Sequence, residues 1–225
     1  MANQVDKDRI KENVARMKRE TYTPVVPDMQ MGFVHNNVDC IGCRACEMAC
    51  KDKNGLAPGP RFRRVQYIEG GTYPAVFAFK INMSCNHCAE PACLPACPTG
   101  AIFKRQDNGV VDIDSTLCIG CRKCEVACPF GAPQFDVEEN VVKKCNMCID
   151  ELEAGRKPYC VAACMMRVLD VGPIDQIADG SFDTKAVGPN ETVVRQVKSM
   201  ADPELTNPSI RFVPHSKGVP ENGGD

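Results

Sequence analysis

Short runs of apolar residues, bounded by turn signals, recur along the chain. Phe62 to Ile68, Val76 to Met83 and Val110 to Ile113 carry β-branched and aromatic residues at strand spacing, the last directly after an Asn108-Gly109 turn. A helical period governs Met1 to Glu20, where Ile10, Val14 and Met17 fall on one stripe. Its acidic start and basic end suit the helix dipole. Lys144 to Ala154 reads as a second helix, ended by Gly155. Beyond Gly172 the chain turns rich in Pro, Gly, Asn and Asp. That segment reads as too polar for a domain of its own, so it is expected to be disordered or draped over a partner.

Composition narrows the class. With 225 residues the chain has room for one or two domains, and its 44% apolar and 25% charged content excludes wholesale disorder. No run approaches the roughly eighteen apolar residues of a membrane helix, so the chain is not expected to span a bilayer. A net charge of −2 argues against nucleic acid as the main partner. The unusual feature is 16 cysteines. Disulfide scaffolds are typically short secreted chains. Met1 to Glu20 offers charge instead, without an apolar export core, a small-residue cleavage site or paired arginines, and Arg63-Arg64 leads into no apolar stretch. Export on an address of its own is not expected, and disulfides are disfavoured.

The cysteines fall into four groups of four, with none left over. Group one is Cys40, Cys43, Cys46 and Cys50; group two is Cys85, Cys88, Cys93 and Cys97; group three is Cys118, Cys121, Cys124 and Cys128; group four is Cys145, Cys148, Cys160 and Cys164. Groups one and three share C-I-G-C-R-x-C-E-x-A-C, and groups two and four share C-N-x-C followed by P-x-C-x-x-x-C, at Pro91 and Pro158. The chain therefore reads as a duplicated unit with two groups per copy.

A C-x2-C-x2-C run curls so that three thiolates converge on one cubane. When x3-C-P follows, the pattern is the bacterial ferredoxin signature, whose fourth cysteine ligates the other cluster of a pair. Group three matches it fully; group one has Lys51 in place of the proline. At four thiolates per cluster, 16 cysteines suffice for four [4Fe–4S] centres. Zinc would accept group four alone, but three ferredoxin-type groups beside it favour iron–sulfur chemistry. No C-x-x-C is followed by histidine, which excludes c-type haem. The radical-enzyme spacing C-x3-C-x2-C is absent, and His87 has no second histidine with which to build a Rieske site. His87 reads as a donor behind the ligands or a surface residue.

Sixteen thiolates and four oxidised cores would carry the net charge from −2 to about −10. Arg44, Arg122, Lys123, Lys143 and Lys144 stand next to candidate ligands and are expected to compensate part of it, or to form a solvated basic surface. No convincing general acid, nucleophile or phosphate loop appears, which points to electron transfer without bond chemistry.

From about Met31 to Ile174 the sequence resembles the four-cluster iron–sulfur subunits of molybdopterin oxidoreductases, most closely those of dimethyl sulfoxide reductase type. All four groups carry the resemblance, together with Cys97-Pro-Thr-Gly-Ala, Cys128-Pro-Phe-Gly-Ala-Pro-Gln and Leu169-Asp-Val-Gly-Pro-Ile-Asp. Met165 departs from the proline usual after the last cysteine, and the stretch before Met31 is longer than the resemblance requires. The resemblance implies an α+β fold of two ferredoxin-like 2[4Fe–4S] lobes: 31–80 with 140–174, and 81–139, flanked by a helical extension at 1–30 and a tail at 175–225 lying on a partner. It pairs group one with four and group two with three, where adjacent pairing would follow the duplication. The implied ligand sets are Cys40, Cys43, Cys46 with Cys164; Cys145, Cys148, Cys160 with Cys50; Cys85, Cys88, Cys93 with Cys128; and Cys118, Cys121, Cys124 with Cys97. Some relatives carry tryptophan at the position of Cys121 and hold a [3Fe–4S] cluster there; with the cysteine present, four [4Fe–4S] clusters are expected. The implied partners are a molybdopterin catalytic subunit and a membrane anchor with a quinol site, and the implied place is peripheral on a membrane, on either side. A formate dehydrogenase, a hydrogenase or another reductase is the alternative machine.

Overall fold

The computed structural model describes residues 28–220, so the helix expected over Met1 to Glu20 lies outside the described residues. In chain order they form β1 (Met31–Asn36), α1 (Ala45–Lys53), β2 (Arg64–Thr72), β3 (Ala75–Met83), β4 (Ile102–Lys104), β5 (Val111–Ile113) and α2 (Lys123–Ala127). Then come β6 (Gln134–Asp136), β7 (Val141–Lys143), α3 (Ile149–Glu153), α4 (Tyr159–Ala162), β8 (Leu169–Pro173), α5 (Ile174–Asp179) and β9 (Ile210–Val213). The result is a mixed fold of short helices and strands.

Strand β1 is buried at five of six positions, and a strand hidden on both faces needs neighbours on both edges. It has them. β8 pairs antiparallel from Met31↔Pro173 to His35↔Leu169, and β9 pairs parallel from Phe33↔Ile210 to Asn36↔Val213. Phe33, Val34, Ile210 and Phe212 are fully buried, and the core around Phe33, Ile210 and Phe212 extends to Phe79, Ile81, Met147 and Leu169. β2 and β3 form a hairpin in unbroken register from Arg64↔Met83 to Thr72↔Ala75. Its base carries Val65, Phe79 and Ile81 into that core, while Tyr73 and Val76 at the tip are exposed. The expected strand over Phe62 to Ile68 thus starts at Arg64 and continues to Thr72, because pairing with β3 overrides the turn preference of Gly70 and Gly71.

Residues 81–139 build most of a smaller unit. Two three-residue ladders, β4 with β5 and β6 with β7, enclose a core of Cys93, Ile102, Val111, Cys124 and Val142.

Two expectations give way. The helix over Lys144 to Ala154 is only α3, because Met147 and Cys148 adopt left-handed φ values of 62° and 50°. Consecutive left-handed residues cannot continue an α-helix, and the turn they make directs the group-four thiols. Nor is the segment beyond Gly172 a loose tail. It supplies α5, β9 and the fully buried Ala186, Val197 and Phe212, and Ile177 and Ala186 cover Val34. A Cβ on Gly172 would stand 2.4 Å from the Phe182 ring, so the glycine lets the returning segment lie flat on β8. Backbone bonds from Ala89 to Asn207 and from Glu90 to Thr206 tie the same segment to the smaller unit. Sparse but well-placed apolar residues, rather than average polarity, decide its fate.

Candidate metal centre

The repeated cysteine motifs fold alike. Gly42 and Arg44 in group one have φ of 72° and 61°; Gly120 and Arg122 in group three have 67° and 60°. The left-handed residues coil each C-I-G-C-R loop so that its thiols face inward, before α1 and α2 carry the third cysteine. Groups two and four behave alike as well. His87 and Met147, each third in a C-N-x-C loop, are left-handed and fully buried.

Three recesses result, each ringed by four cysteines drawn from two groups. Cys40, Cys43, Cys46 and Cys164 line one of about 320 Å³. Cys85, Cys88, Cys93 and Cys128 line a second of about 350 Å³. Cys97, Cys118, Cys121 and Cys124 line a third of about 310 Å³. The remaining four also lie together: Cys50 is near enough to Cys145, Cys160 and Cys148 that their ionisation would push its own thiol up. These are called the Cys40, Cys85, Cys118 and Cys145 sites.

They form a row. Cys160 of the Cys145 site neighbours Cys46 of the Cys40 site, and Cys145 neighbours Cys85. Cys93 and Cys124, from the Cys85 and Cys118 sites, share the smaller core. Cys43 at one end of the row and Cys121 at the other are the two exposed cysteines.

Donors converge on the sulfurs. Cys46 Sγ accepts from Asn82 Nδ2 at 3.2 Å, Cys118 Sγ from the Val142 amide at 3.4 Å, and Cys145 Sγ from the Met147 amide at 3.4 Å. Cys128 Sγ accepts from the Ala132 amide at 3.5 Å. Burial pushes the Cys145 thiol up to about 11 and Cys124 to about 12, with neighbouring thiols adding to the rise. Cys50, Cys88 and Cys93 rise well above their ordinary value for the same reasons. Thiols so crowded stay protonated until a cation replaces the protons, which is the chemistry of a metal donor set. Asn86 lines the Cys85 recess, and its Nδ2 is a buried donor unpartnered among the described residues, as a group with acceptors of its own would require. Among the described residues, no three His, Cys, Asp or Glu side chains close on a point where a single ion would sit. Four thiols around a wider recess suit a polynuclear cluster.

The cations sort differently from expectation. Lys144 is buried beside Cys85, Cys93 and Cys145, with Nζ donating to the carbonyls of Val111 and Cys145. Burial opposes its charge, but ionised Cys85, the Asp112 carboxylate, Cys93 and Cys145 together hold its pKa above the ordinary value. Lys143 pairs with Asp136 at 3.0 Å, Arg122 pairs with Glu125 at 2.7 Å, and Arg44 lies over the Tyr67 ring. Lys123 begins α2 at the surface. Sequence reasoning misses Arg63, which is 1% exposed beside Cys160, Cys145, Cys46 and Cys50. In the sequence it stands out only as half of an arginine pair; its place between apolar Phe62 and Val65 is the available signal. His87 is no surface residue. Its Nδ1 accepts the Val111 amide at 3.1 Å, so Nε2 carries the proton, and burial followed by the charge of Lys144 lowers its pKa well below the usual histidine value.

Comparison with known proteins agrees with this chemistry. The family described as "4Fe-4S dicluster domain" matches residues 76–174. Over 199 residues the sequence is 40% identical to a chain of the anaerobic dimethyl sulfoxide reductase of Escherichia coli (strain K12), covering 85% of this protein and 92% of that one. It is 44% identical over 156 residues to a subunit of the sulfite dehydrogenase of Allochromatium vinosum, covering 60% and 65%. It is 39% identical over 152 residues to the thiosulfate reductase electron transfer subunit of Salmonella typhi, covering 65% and 78%.

Proposed function

The protein belongs to the 4Fe-4S family that includes the iron–sulfur subunits of anaerobic dimethyl sulfoxide reductases, and we propose that it relays single electrons through four [4Fe–4S] clusters between a membrane quinol-linked anchor and a molybdopterin catalytic subunit. It is an iron–sulfur electron-transfer subunit, and its cofactors are [4Fe–4S] clusters. Each such cluster, when bound, takes up and returns one electron.

The protein's own task is to hold four of them in line. In this reading Cys40, Cys43, Cys46 and Cys164 hold the first, and Cys145, Cys148, Cys160 and Cys50 the second. Cys85, Cys88, Cys93 and Cys128 hold the third, and Cys118, Cys121, Cys124 and Cys97 the fourth. Residues 31–80 with 140–174 form one ferredoxin-like lobe and 81–139 the other, each lobe holding one motif from either copy of a duplicated unit; the matching left-handed loops of groups one and three, and of groups two and four, support that descent. The observation that carries the relay is the row of sites running from exposed Cys43 to exposed Cys121. An electron path needs an entry and an exit near the surface, and interior cysteines shielded from water.

The two ends are rimmed by apolar side chains suited to protein contact. Ile41 and Met48 are exposed beside Cys43; Leu117, Ile119 and Val126 are exposed beside Cys121. The Cys121 end faces the membrane-side partner and the Cys43 end the catalytic subunit. Among the described residues no helix is long and apolar enough to cross a membrane, and attachment is assigned to the anchor. The same wire in a sulfite- or thiosulfate-metabolising complex is the second reading, favoured by 44% identity to the sulfite dehydrogenase subunit. The test is to reduce the clusters of the anaerobically purified complex and add dimethyl sulfoxide. Reoxidation on the timescale of turnover is expected. Reoxidation by thiosulfate alone would assign the protein to the second reading.

A further inference from the structure

Arg63 is enclosed between two of the cysteine sites, and its surroundings are unusual for a buried charge. Nη1 donates to Asn82 Oδ1 at 3.0 Å, and the Phe33 ring stacks 4.3 Å from the guanidinium carbon. Nε and Nη2 have no oxygen or nitrogen partner among the described residues. The groups it faces are cysteine sulfurs, which carry negative charge once they act as thiolate ligands: Cys160, Cys145 and Cys50 of the Cys145 site, and Cys46 of the Cys40 site. Asn82 extends the contact, since its Nδ2 donates to Cys46 Sγ at 3.2 Å while its Oδ1 holds the guanidinium. Lys144 occupies the next junction, between the Cys145 and Cys85 sites, with the Asp112 carboxylate also acting on it. Among the described residues no buried cation lines the recess of the Cys118 site, whose one charged lining residue, Arg122, is at the surface.

Burying a guanidinium without a carboxylate is costly unless another negative charge answers it. Here the answer is the pair of cluster sites on either side. We infer that Arg63 is a fixed charge that raises the reduction potentials of the two clusters it separates, and that Lys144 does the same for the pair at the next junction. Reduction adds one negative charge to a cluster, and a cation held nearby in a dry interior stabilises the reduced form more than the oxidised one. The Cys145 site, flanked by both cations, is raised twice. This inference rests on the proposed cluster assignment.

The test is a redox titration of the iron-loaded complex, followed by electron paramagnetic resonance, for Arg63→Gln and Lys144→Gln. Arg63→Gln should make reduction of two clusters about tenfold less favourable, which is a fall of about 59 mV for a one-electron couple. The other two potentials should hold. Lys144→Gln should lower two potentials as well, and one cluster should be common to both sets. Full iron content with all four potentials unchanged, or with all four shifted equally, overturns the inference and leaves the cluster assignment standing. Should Arg63→Gln lose iron, Arg63→Lys decides. Retained charge predicts four loaded sites with potentials near those of the natural protein. Loss of the same two clusters in Arg63→Lys would show that shape, not charge, is required, and would overturn the proposal. A complex purified without clusters in this protein would refute the cluster assignment instead.

Discussion

The two halves of the molecule carry the same cysteine motifs on unequal foundations. The half containing β1 rests on a three-stranded sheet, a nine-position hairpin ladder and a core that includes Phe33, Phe79, Leu169 and Phe212. The smaller half has two three-residue ladders and a five-residue core, two members of which are the candidate ligands Cys93 and Cys124. Isolated two-stranded ribbons this short do not persist in water. The smaller half is therefore expected to owe its fold to what its cysteines hold, and the larger to apolar burial with the cysteines as passengers. A duplicated motif need not mean duplicated energetics.

Anaerobic removal of iron should expose this asymmetry most strongly. Hydrogen exchange at β4, β5, β6 and β7 should rise toward unfolded-chain rates, while β8, β1 and β9 stay protected. Equal loss in both halves would erase the distinction. Truncation after Ile174 attacks the larger half at its foundation, since it strips β9 from β1. Its denaturation midpoint should fall further than that of any single substitution. Phe212→Ala is the point version of the same attack. A fully buried phenylalanine of the parallel strand should cost roughly 3–5 kcal/mol, read as a lower midpoint for the loaded protein.

Ligand substitutions sharpen the contrast at single sites. Cys121→Ser removes an exposed thiol from the end of the row, and its cluster should convert to [3Fe–4S] with a new paramagnetic signal in the oxidised state. If all four cubane signals survive unaltered, Cys121 is not a ligand. Cys50→Ser should damage the Cys145 site and spare the Cys40 site, although Cys50 belongs to the same motif as Cys40. The reverse pattern would mean that each motif serves its own cluster. The smallest effect belongs to the exposed Arg122–Glu125 pair at 2.7 Å. Arg122→Ala should change stability by less than about 1 kcal/mol, and not at all in high salt.

The convergence of the thiols is legible in the cysteine spacing, because a C-x2-C-x2-C loop leaves the backbone few ways to point three of them at one place. The hairpin strand Val76 to Met83 and the turn at Asn108-Gly109 are legible from local pattern too; the observed strand, β3, begins one residue earlier at Ala75. What escapes depends on distant partners. Group-four residues read as helix, yet Met147 and Cys148 are left-handed because the thiols must turn toward Cys50. β9 is four residues in a polar segment, and nothing local announces that β1 leaves an edge open for it. Arg63 and Lys144 are ordinary surface residues by composition and become interior charges only because cysteine sites close around them.

The relay, the charged junctions and the asymmetry of the halves all require iron and sulfide in the four sites. Metal and acid-labile sulfide analysis of the full-length protein, purified without oxygen, tests that requirement directly. The account predicts about sixteen iron and about sixteen sulfide per molecule. Zinc as the dominant metal, with little sulfide, would contradict it.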